Sequence, residues 1–178
     1  MLEYGLRSLI DGITSAMLLL LIGFVVHRTD MTLIYLVFSC CVAEKLGGYH
    51  ASTRVRCLII TIVFYMAVLY LPELLVNKIS RETVIVLCVI FFLVIWKIAP
   101  VEHPNKILDD HVRHTNRVWS RWLAVGIICL IIIFQYVKVE MAYILFVNML
   151  EVVISMLIGK VVNMLYEKRN RTRFNKSG

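Results

Sequence analysis

A histidine and a cysteine seven positions apart, His50 and Cys57, form the clearest chemical pair in this chain. A thiolate is a strong nucleophile, and an imidazole within hydrogen-bond reach can take the thiol proton and return it to a leaving group. The pair follows the di-glycine Gly47-Gly48, where the backbone can adopt positive φ without a steric penalty. These residue types predict a cysteine nucleophile with a histidine base.

The spacing of the pair limits its geometry. Seven residues of continuous helix would bring the two side chains to nearly the same face but about 10 Å apart along the axis. A base has to come within about 3 Å of its nucleophile. We therefore expect the chain between His50 and Cys57 to depart from a straight helix, or the pair to form across two copies of the chain. Residue types alone leave the alternative of a buried, backbone-bonded histidine beside an inert cysteine.

Cys57 stands at the start of a long apolar run. If Ser52 or Thr53 caps a helix there, the thiol lies in the first turns, where the partial positive charge of the helix terminus stabilises a thiolate. Arg54 and Arg56 act in the same direction, and free backbone N–H groups at that end could hold an oxyanion. The other four cysteines lie inside apolar runs, where cysteine usually serves as a small hydrophobic residue.

The elements that must position this pair are hydrophobic. Of the 178 residues, 60% are hydrophobic and 17% are charged, against roughly 45–50% and 25% in soluble domains. The apolar runs lack the alternation of barrel strands, so the composition predicts an all-α, polytopic membrane bundle forming one unit over residues 1–178. The predicted passes cover residues of about 9–26, 31–43, 57–71, 83–99, 122–137 and 141–162.

Details of these passes are also predicted. The second and third are the shortest, so either is a candidate for a re-entrant segment. Pro72 and Pro100 are expected to end the third and fourth passes, because proline disfavours helical continuation. Residues 167–178 form a basic tail that we expect to be frayed or to lie on the lipid headgroups.

Basic residues are distributed unevenly between the two sides of the membrane. With both termini inside, fourteen of the nineteen lysines and arginines fall in inner segments and four in outer ones. The positive-inside rule then predicts that both termini and residues 47–57 are cytoplasmic. The same distribution explains the net charge of +7 without nucleic-acid binding, which we do not expect.

Histidines and aspartates in the segment 101–121 invite a metal-binding interpretation: His103, Asp109, Asp110, His111 and His114. Their spacing lacks the helical arrangement of zinc peptidases, and no cysteine is near. We therefore expect a solvated loop of mixed charge, with no metal and no cofactor. This loop also contains three arginines, Arg113, Arg117 and Arg121. They either form a docking surface for an acidic ligand or serve only to set the orientation of the protein in the membrane.

Two carboxylates belong to the last predicted pass. Glu140 lies at its start and Glu151 eleven residues later, about three helical turns, which puts both on one face. Ionisable residues inside a membrane segment are functional suspects. The sequence leaves open a substrate-docking cavity, a contact between protomers, and a polar contact between helices.

Two segments carry a resemblance to a known family. Residues 44–51, Glu-Lys-Leu-Gly-Gly-Tyr-His-Ala, with Cys57 seven positions after the histidine, resemble the signature of the AgrB (accessory gene regulator B) family. Residues 99–106, Ala-Pro-Val-Glu-His-Pro-Asn-Lys, are similar to that family's segment after a later transmembrane helix. Chain length, hydropathy and the basic tail also agree.

The resemblance implies a membrane cysteine endopeptidase that processes a small quorum-sensing precursor peptide of the AgrD type. It implies that Cys57 is the nucleophile and His50 its partner, and it does not settle a third group. Gly47 and Gly48 are possible supporting residues, because they permit a bent entry to the pair. Glu44 is a candidate to orient His50, although it has lysine and arginine neighbours with which it can pair instead. Product formation would then involve a thiolactone or lactone ring, and we expect a homodimer. The alternative is a non-enzymatic membrane transporter or channel subunit, for which His50 and Cys57 would be dispensable.

Overall fold

Six helices account for almost all of the residues 2–47, 53–101 and 109–174, which are the parts of the chain that the computed structural model describes. No named strand occurs in these parts, and the predicted all-α fold is confirmed. The helices are α1 (Leu2–Val25), α2 (Thr29–Leu46), α3 (Arg54–Val76), α4 (Arg81–Ile98), α5 (Asp110–Val137) and α6 (Val139–Phe174).

Among the six described helices, three are long and apolar enough to cross a membrane. They are Val55–Val76 in α3, Asp110–Val137 in α5 and Val139–Tyr166 in α6, while α1 and α2 contain the shorter apolar stretches Gly12–Val25 and Thr29–Val42. The expectation that the third pass is short is therefore wrong, whereas the second is short as predicted. Helices suit this composition because all their backbone polar groups are bonded within the segment.

Pro72 is the reason the third pass was predicted too short. It lies inside α3, which continues to Val76, so the prediction that it ends the helix is wrong. The missing N–H removes one bond to an earlier carbonyl, but membrane helices tolerate this where neighbours pack closely. Pro72 is buried. Pro100 behaves as predicted, because α4 ends at Ile98 and Ala99 is already extended.

The predicted loop 101–121 is helical from Asp110 onward. The sequence did not predict a helix here, because the first three turns of α5 have few apolar positions and so show no clear helical periodicity. The last helix also extends beyond the expected point, since α6 includes the basic residues up to Phe174. The structure describes this part of the tail as helix rather than frayed chain.

The centre of the bundle is α6. It packs against α2, α3, α4 and α5, whereas α1 packs at the periphery against α2 and α3. In the apolar stretch of α6 half of the residues are buried, against 22% in the apolar stretches of α3 and α5. Aromatic packing joins it to α4 through Phe91 and Phe146, whose ring centroids are 5.6 Å apart.

The helices alternate in direction, so the bundle has two ends. The turn end contains the connections after α1, α3 and α5. An ion pair there joins Arg28 to Glu73, and the Tyr143 hydroxyl donates to the carbonyl of Ile79 at 2.5 Å. The junction end contains the connections after α2 and α4. It therefore also contains the start of α1, the end of α6 and Cys57.

Close packing near the turn end predicts that Gly23 cannot be replaced. A Cβ atom at Gly23 would lie 2.0 Å from Thr32 Oγ1 and 2.9 Å from the Tyr65 hydroxyl, and these two hydroxyls are themselves 2.6 Å apart. We expect Gly23→Ala to lower the free energy of unfolding by about 1–3 kcal/mol, as overpacked cores do. Thermal unfolding in detergent micelles measures this.

Gly126→Ala is the matched control, because no atom lies within 4 Å of a Cβ built there. Alanine is also the better helix former, so this variant should melt no lower than the wild type. Equal melting temperatures for the two glycine variants would contradict the packing described for Gly23.

Candidate active site

Cys57 lies in the first turns of α3. Thr53 caps this helix: its backbone is extended, at φ −126° and ψ 145°, and its hydroxyl accepts a hydrogen bond from the Arg56 amide at 3.4 Å. The Cys57 amide donates to the Thr53 carbonyl at 3.1 Å, which makes it the first helical bond of this turn. The predicted capped start is therefore present. The amides before Cys57 have no helical i−4 carbonyl to bond, and the cap takes that of Arg56.

The helix does not extend back to the histidine. Because Thr53 is extended, α3 begins at Arg54 and does not continue through Thr53 toward His50. His50 and Gly48 lie outside the described residues, and so does the side chain of Glu44. The described part of the site consists of Cys57 and the helix ends at the same end of the bundle.

Cys57 differs from the other cysteines in position and exposure. It is partly exposed at a helix start, whereas Cys88 is buried in the core and Cys40, Cys41 and Cys129 are exposed on the apolar surfaces of α2 and α5. A nucleophile has to be reachable and close to polar groups, and Cys57 alone among the five combines both properties.

The two segments that carry the sequence motifs meet at the junction end. The Val101 amide donates to the Leu46 carbonyl at 3.0 Å, and Gly47 pairs with Val101 as an isolated parallel bridge. The end of α2 is thus bonded to the chain that follows α4. Both segments are visible as motifs in the sequence, but a local motif carries no information on which distant segment it contacts.

Gly47 is required by this contact. Its φ is +68°, and a Cβ atom there would lie 2.1 Å from the Val101 carbonyl oxygen. The conformation alone disfavours other residues, and the backbone contact leaves no room for a side chain. The sequence predicted a supporting role for Gly47, and the structural basis for such a role is its positive φ and its contact with the Val101 backbone.

Two residues of α5 complete the junction. The Ser120 hydroxyl, fully buried, lies 2.8 Å from the Lys45 carbonyl and 2.6 Å from the Asn116 carbonyl. Beside it, the Arg121 guanidinium stacks over the Trp96 ring of α4 at 3.9 Å from the centroid. Sequence reasoning missed Ser120, because a serine within a helix gives no signal that it reaches a neighbouring helix.

The three arginines lie at intervals of four on the first turns of α5, at the same end as Cys57. Arg113 is 3.3 Å from Asp110 and is partly neutralised by it. Arg117 is exposed, and Arg121 is partly buried against Trp96. The surface that they form is thus most open at Arg117.

The two carboxylates of α6 lie away from Cys57. Glu140 is exposed at the turn end, whereas Glu151 is well inside α6 and accepts a hydrogen bond from the Tyr35 hydroxyl of α2 at 3.1 Å. The Tyr35 ring in turn packs against Tyr65, with centroids 5.4 Å apart. Glu151 therefore makes the polar contact between helices that the sequence left open as one of its alternatives.

His111 and His114 are exposed on the first turns of α5. Among the described residues there is no group of three histidine, cysteine or acidic side chains that could hold a metal ion. His103, the remaining histidine of the metal interpretation, lies outside these residues.

Comparison with known proteins agrees with the sequence motifs. The sequence model described as accessory gene regulator B, AgrB, matches residues 1–166. This stretch contains all three segments of the junction as well as Cys57. No curated protein and no solved structure matches the chain.

Proposed function

Because the chain belongs to the AgrB family, we propose that it is a membrane cysteine endopeptidase with Cys57 as its nucleophile and His50 as its base. Family membership implies a role in processing a quorum-sensing precursor peptide, of the AgrD type. The observation that carries the finer proposal is the position of Cys57, reachable at a capped helix start where the chain toward His50 leaves the helix.

The first step is acyl transfer to the enzyme. The Cys57 thiol gives its proton to His50, and the thiolate attacks the carbonyl carbon of the scissile peptide bond. The C–N bond breaks as His50 returns the proton to the leaving nitrogen, and a thioester to Cys57 remains. N–H groups at the start of α3 are suited to stabilise the oxyanion of the tetrahedral intermediate.

The second step closes a ring. A cysteine thiol of the bound precursor attacks the thioester carbonyl, its proton passes to the departing Cys57 sulfur by way of His50, and a thiolactone is released. A serine in the same place gives a lactone. The bilayer surrounding the helices supports this outcome, because it limits the water that would otherwise hydrolyse the acyl-enzyme.

Substrate docking is proposed for the arginine surface of α5. Arg113, Arg117 and Arg121 lie at the end of the bundle that contains Cys57, so an acidic segment held there stays within reach of the nucleophile. Attraction between exposed charges is screened by salt. The sequence also suggested Glu140 and Glu151 for docking. Glu140 lies at the turn end and Glu151 in the interior of α6, so the arginines are the better-supported surface.

Localisation follows from the same arrangement. The start of α1, the end of α6 and Cys57 belong to the same end of the bundle, and this end has more basic residues than the other. We propose a multi-pass cell-membrane protein whose termini and catalytic segment are cytoplasmic, in accordance with the positive-inside rule.

Replacement of either catalytic residue should abolish cleavage of the precursor. We expect Cys57→Ala to remove the activity and His50→Ala to reduce it by about 10²–10⁴-fold, the usual contribution of general acid–base catalysis. Both variants should remain folded. Cleavage is measured on the purified protein in lipid with a synthetic precursor.

Matched controls come from the same residue types. Alanine at Cys40, Cys41 or Cys129, or at His111 or His114, should leave cleavage within about twofold, as expected for surface positions outside the site. Chelators should also leave it unchanged. If Cys57→Ala and His50→Ala cleave at the wild-type rate, the enzyme proposal fails and a non-enzymatic transporter or channel subunit becomes the better interpretation.

Charge reversal on α5 should weaken substrate binding. We expect Arg117→Glu to raise KM by about two- to fivefold, in line with exposed ion pairs, with a smaller change in kcat. Arg113→Glu should have less effect, because Asp110 already neutralises this arginine. High salt should mimic the arginine variants.

Lys138→Glu serves as the control for charge, because Lys138 is exposed at the opposite end of the bundle. Its KM should equal that of the wild type. If Arg117→Glu and Lys138→Glu give the same KM, the basic residues of α5 serve membrane orientation only.

We also propose that the protein is a homodimer. Two-fold pairs are the most frequent symmetric oligomers, and a second copy could support the short second pass. Cross-linking in native membranes should give a species of twice the 20.6 kDa chain. An active protein that cross-links only as a monomer would remove the dimer from the proposal.

A further inference from the structure

The last two backbone carbonyls of α2 are both bonded to other parts of the chain. A helix ends with four carbonyls that have no partner within it, and a buried helix end needs partners from elsewhere. The Lys45 carbonyl lies 2.8 Å from the Ser120 hydroxyl of α5, whose single proton it shares with the Asn116 carbonyl at 2.6 Å. The next carbonyl, that of Leu46, accepts from the Val101 amide at 3.0 Å. Two consecutive groups are thus fixed from two directions.

These bonds are partly buried. Ser120 is fully buried and Leu46 is 1% exposed, whereas Lys45 and Val101 are half-buried. Hydrogen bonds are electrostatically stronger in such surroundings, and leaving one partner unpaired is correspondingly costly. The end of α2 is therefore held firmly rather than frayed.

The neighbours of Ser120 keep it in register. Arg121 stacks on Trp96 at 3.9 Å, which ties this turn of α5 to the last turn of α4. Val101 follows shortly after that turn, so Ser120 and Val101 belong to one block formed by α4 and α5. The end of α2 is attached to this block at both carbonyls.

The attachment point leads directly into the site. The chain leaves the block at Gly47, with φ +68°, and re-enters described structure at Thr53, the cap of the helix that carries Cys57. His50 lies midway between these two residues in the sequence. Six residues can span at most about 20 Å, so the location of Gly47 restricts the locations open to His50.

We propose that Ser120 and Val101 are positioning residues that hold the end of α2 so that His50 is presented to Cys57. The proposal rests on the proposed function, because it assumes that His50 activates the Cys57 thiol. Neither residue has to contact substrate. Loss of the Ser120 hydroxyl releases the Lys45 carbonyl, moves the origin of the His50 segment and weakens the activation of Cys57.

The test measures how fast Cys57 reacts with iodoacetamide at neutral pH. It uses the full chain in lipid nanodiscs, with Cys40, Cys41, Cys88 and Cys129 changed to alanine so that a single thiol reacts. We expect His50→Ala to slow alkylation, and Ser120→Ala to slow it by about three- to thirtyfold, which lies within the range of coupling between residues in one network. Adding Ser120→Ala to His50→Ala should slow it no further.

Val101→Pro is the second variant, because it removes the N–H that bonds Leu46 while leaving α5 unchanged. It should slow alkylation and should also have no additional effect when His50 is alanine. Thr115→Val is the matched control. Its hydroxyl donates only to the His111 carbonyl within α5, at 2.9 Å, among the contacts of the described residues, so the alkylation rate should not change.

The possible outcomes separate the two proposals. If His50→Ala leaves the alkylation rate unchanged, the His50–Cys57 pair itself fails, and positioning fails with it. If His50→Ala slows the reaction but Ser120→Ala and Val101→Pro react at the wild-type rate, only the positioning proposal is overturned. The positioning proposal is also overturned if Ser120→Ala and Val101→Pro slow alkylation by the same factor with histidine or alanine at position 50. A purely structural role would give that result.

Discussion

The hydrogen bond from the Val101 amide to the Leu46 carbonyl, 3.0 Å long, is the constraint on which the candidate site depends. It joins two connections that are more than fifty residues apart in the sequence, and it requires a glycine at position 47 because a Cβ would meet the Val101 carbonyl. Buried backbone groups that lack a partner are unfavourable. The pairing lets α2 and α4 end at the same place.

The rest of the bundle supplies a rigid base for this junction. Buried hydroxyl and carboxylate groups are paired between helices: Tyr35 with Glu151, Thr32 with Tyr65, and Tyr143 with the Ile79 carbonyl. These contacts lie toward the turn end or in the middle of the bundle, and α6 takes part in two of them. The central position of α6 therefore fixes α2 and α3 with respect to one another, and these are the helices that lead into and out of the site.

Sequence patterns predicted the helical membrane class, the capped start at Thr53 and the family, because hydropathy, capping residues and short motifs are local signals. They did not predict Pro72 inside α3, because neighbouring helices decide whether a proline is tolerated. The first turns of α5 were missed, since charge at intervals of four obscures an apolar pattern. The junction itself was invisible for a different reason: its bonds use the backbone and one serine, Ser120, so no distinctive residue type marks it.

The central claim is that Cys57, at the start of α3 and at the same end of the bundle as this junction, forms a covalent bond with the precursor. Acid quenching of the protein during turnover, followed by peptide mapping by mass spectrometry, tests it most directly. The account predicts a precursor-derived acyl group on the peptide that contains Cys57, removable by hydroxylamine as a thioester is. Cleavage that proceeds with no adduct, or with an adduct on another of the five cysteines, would contradict the account.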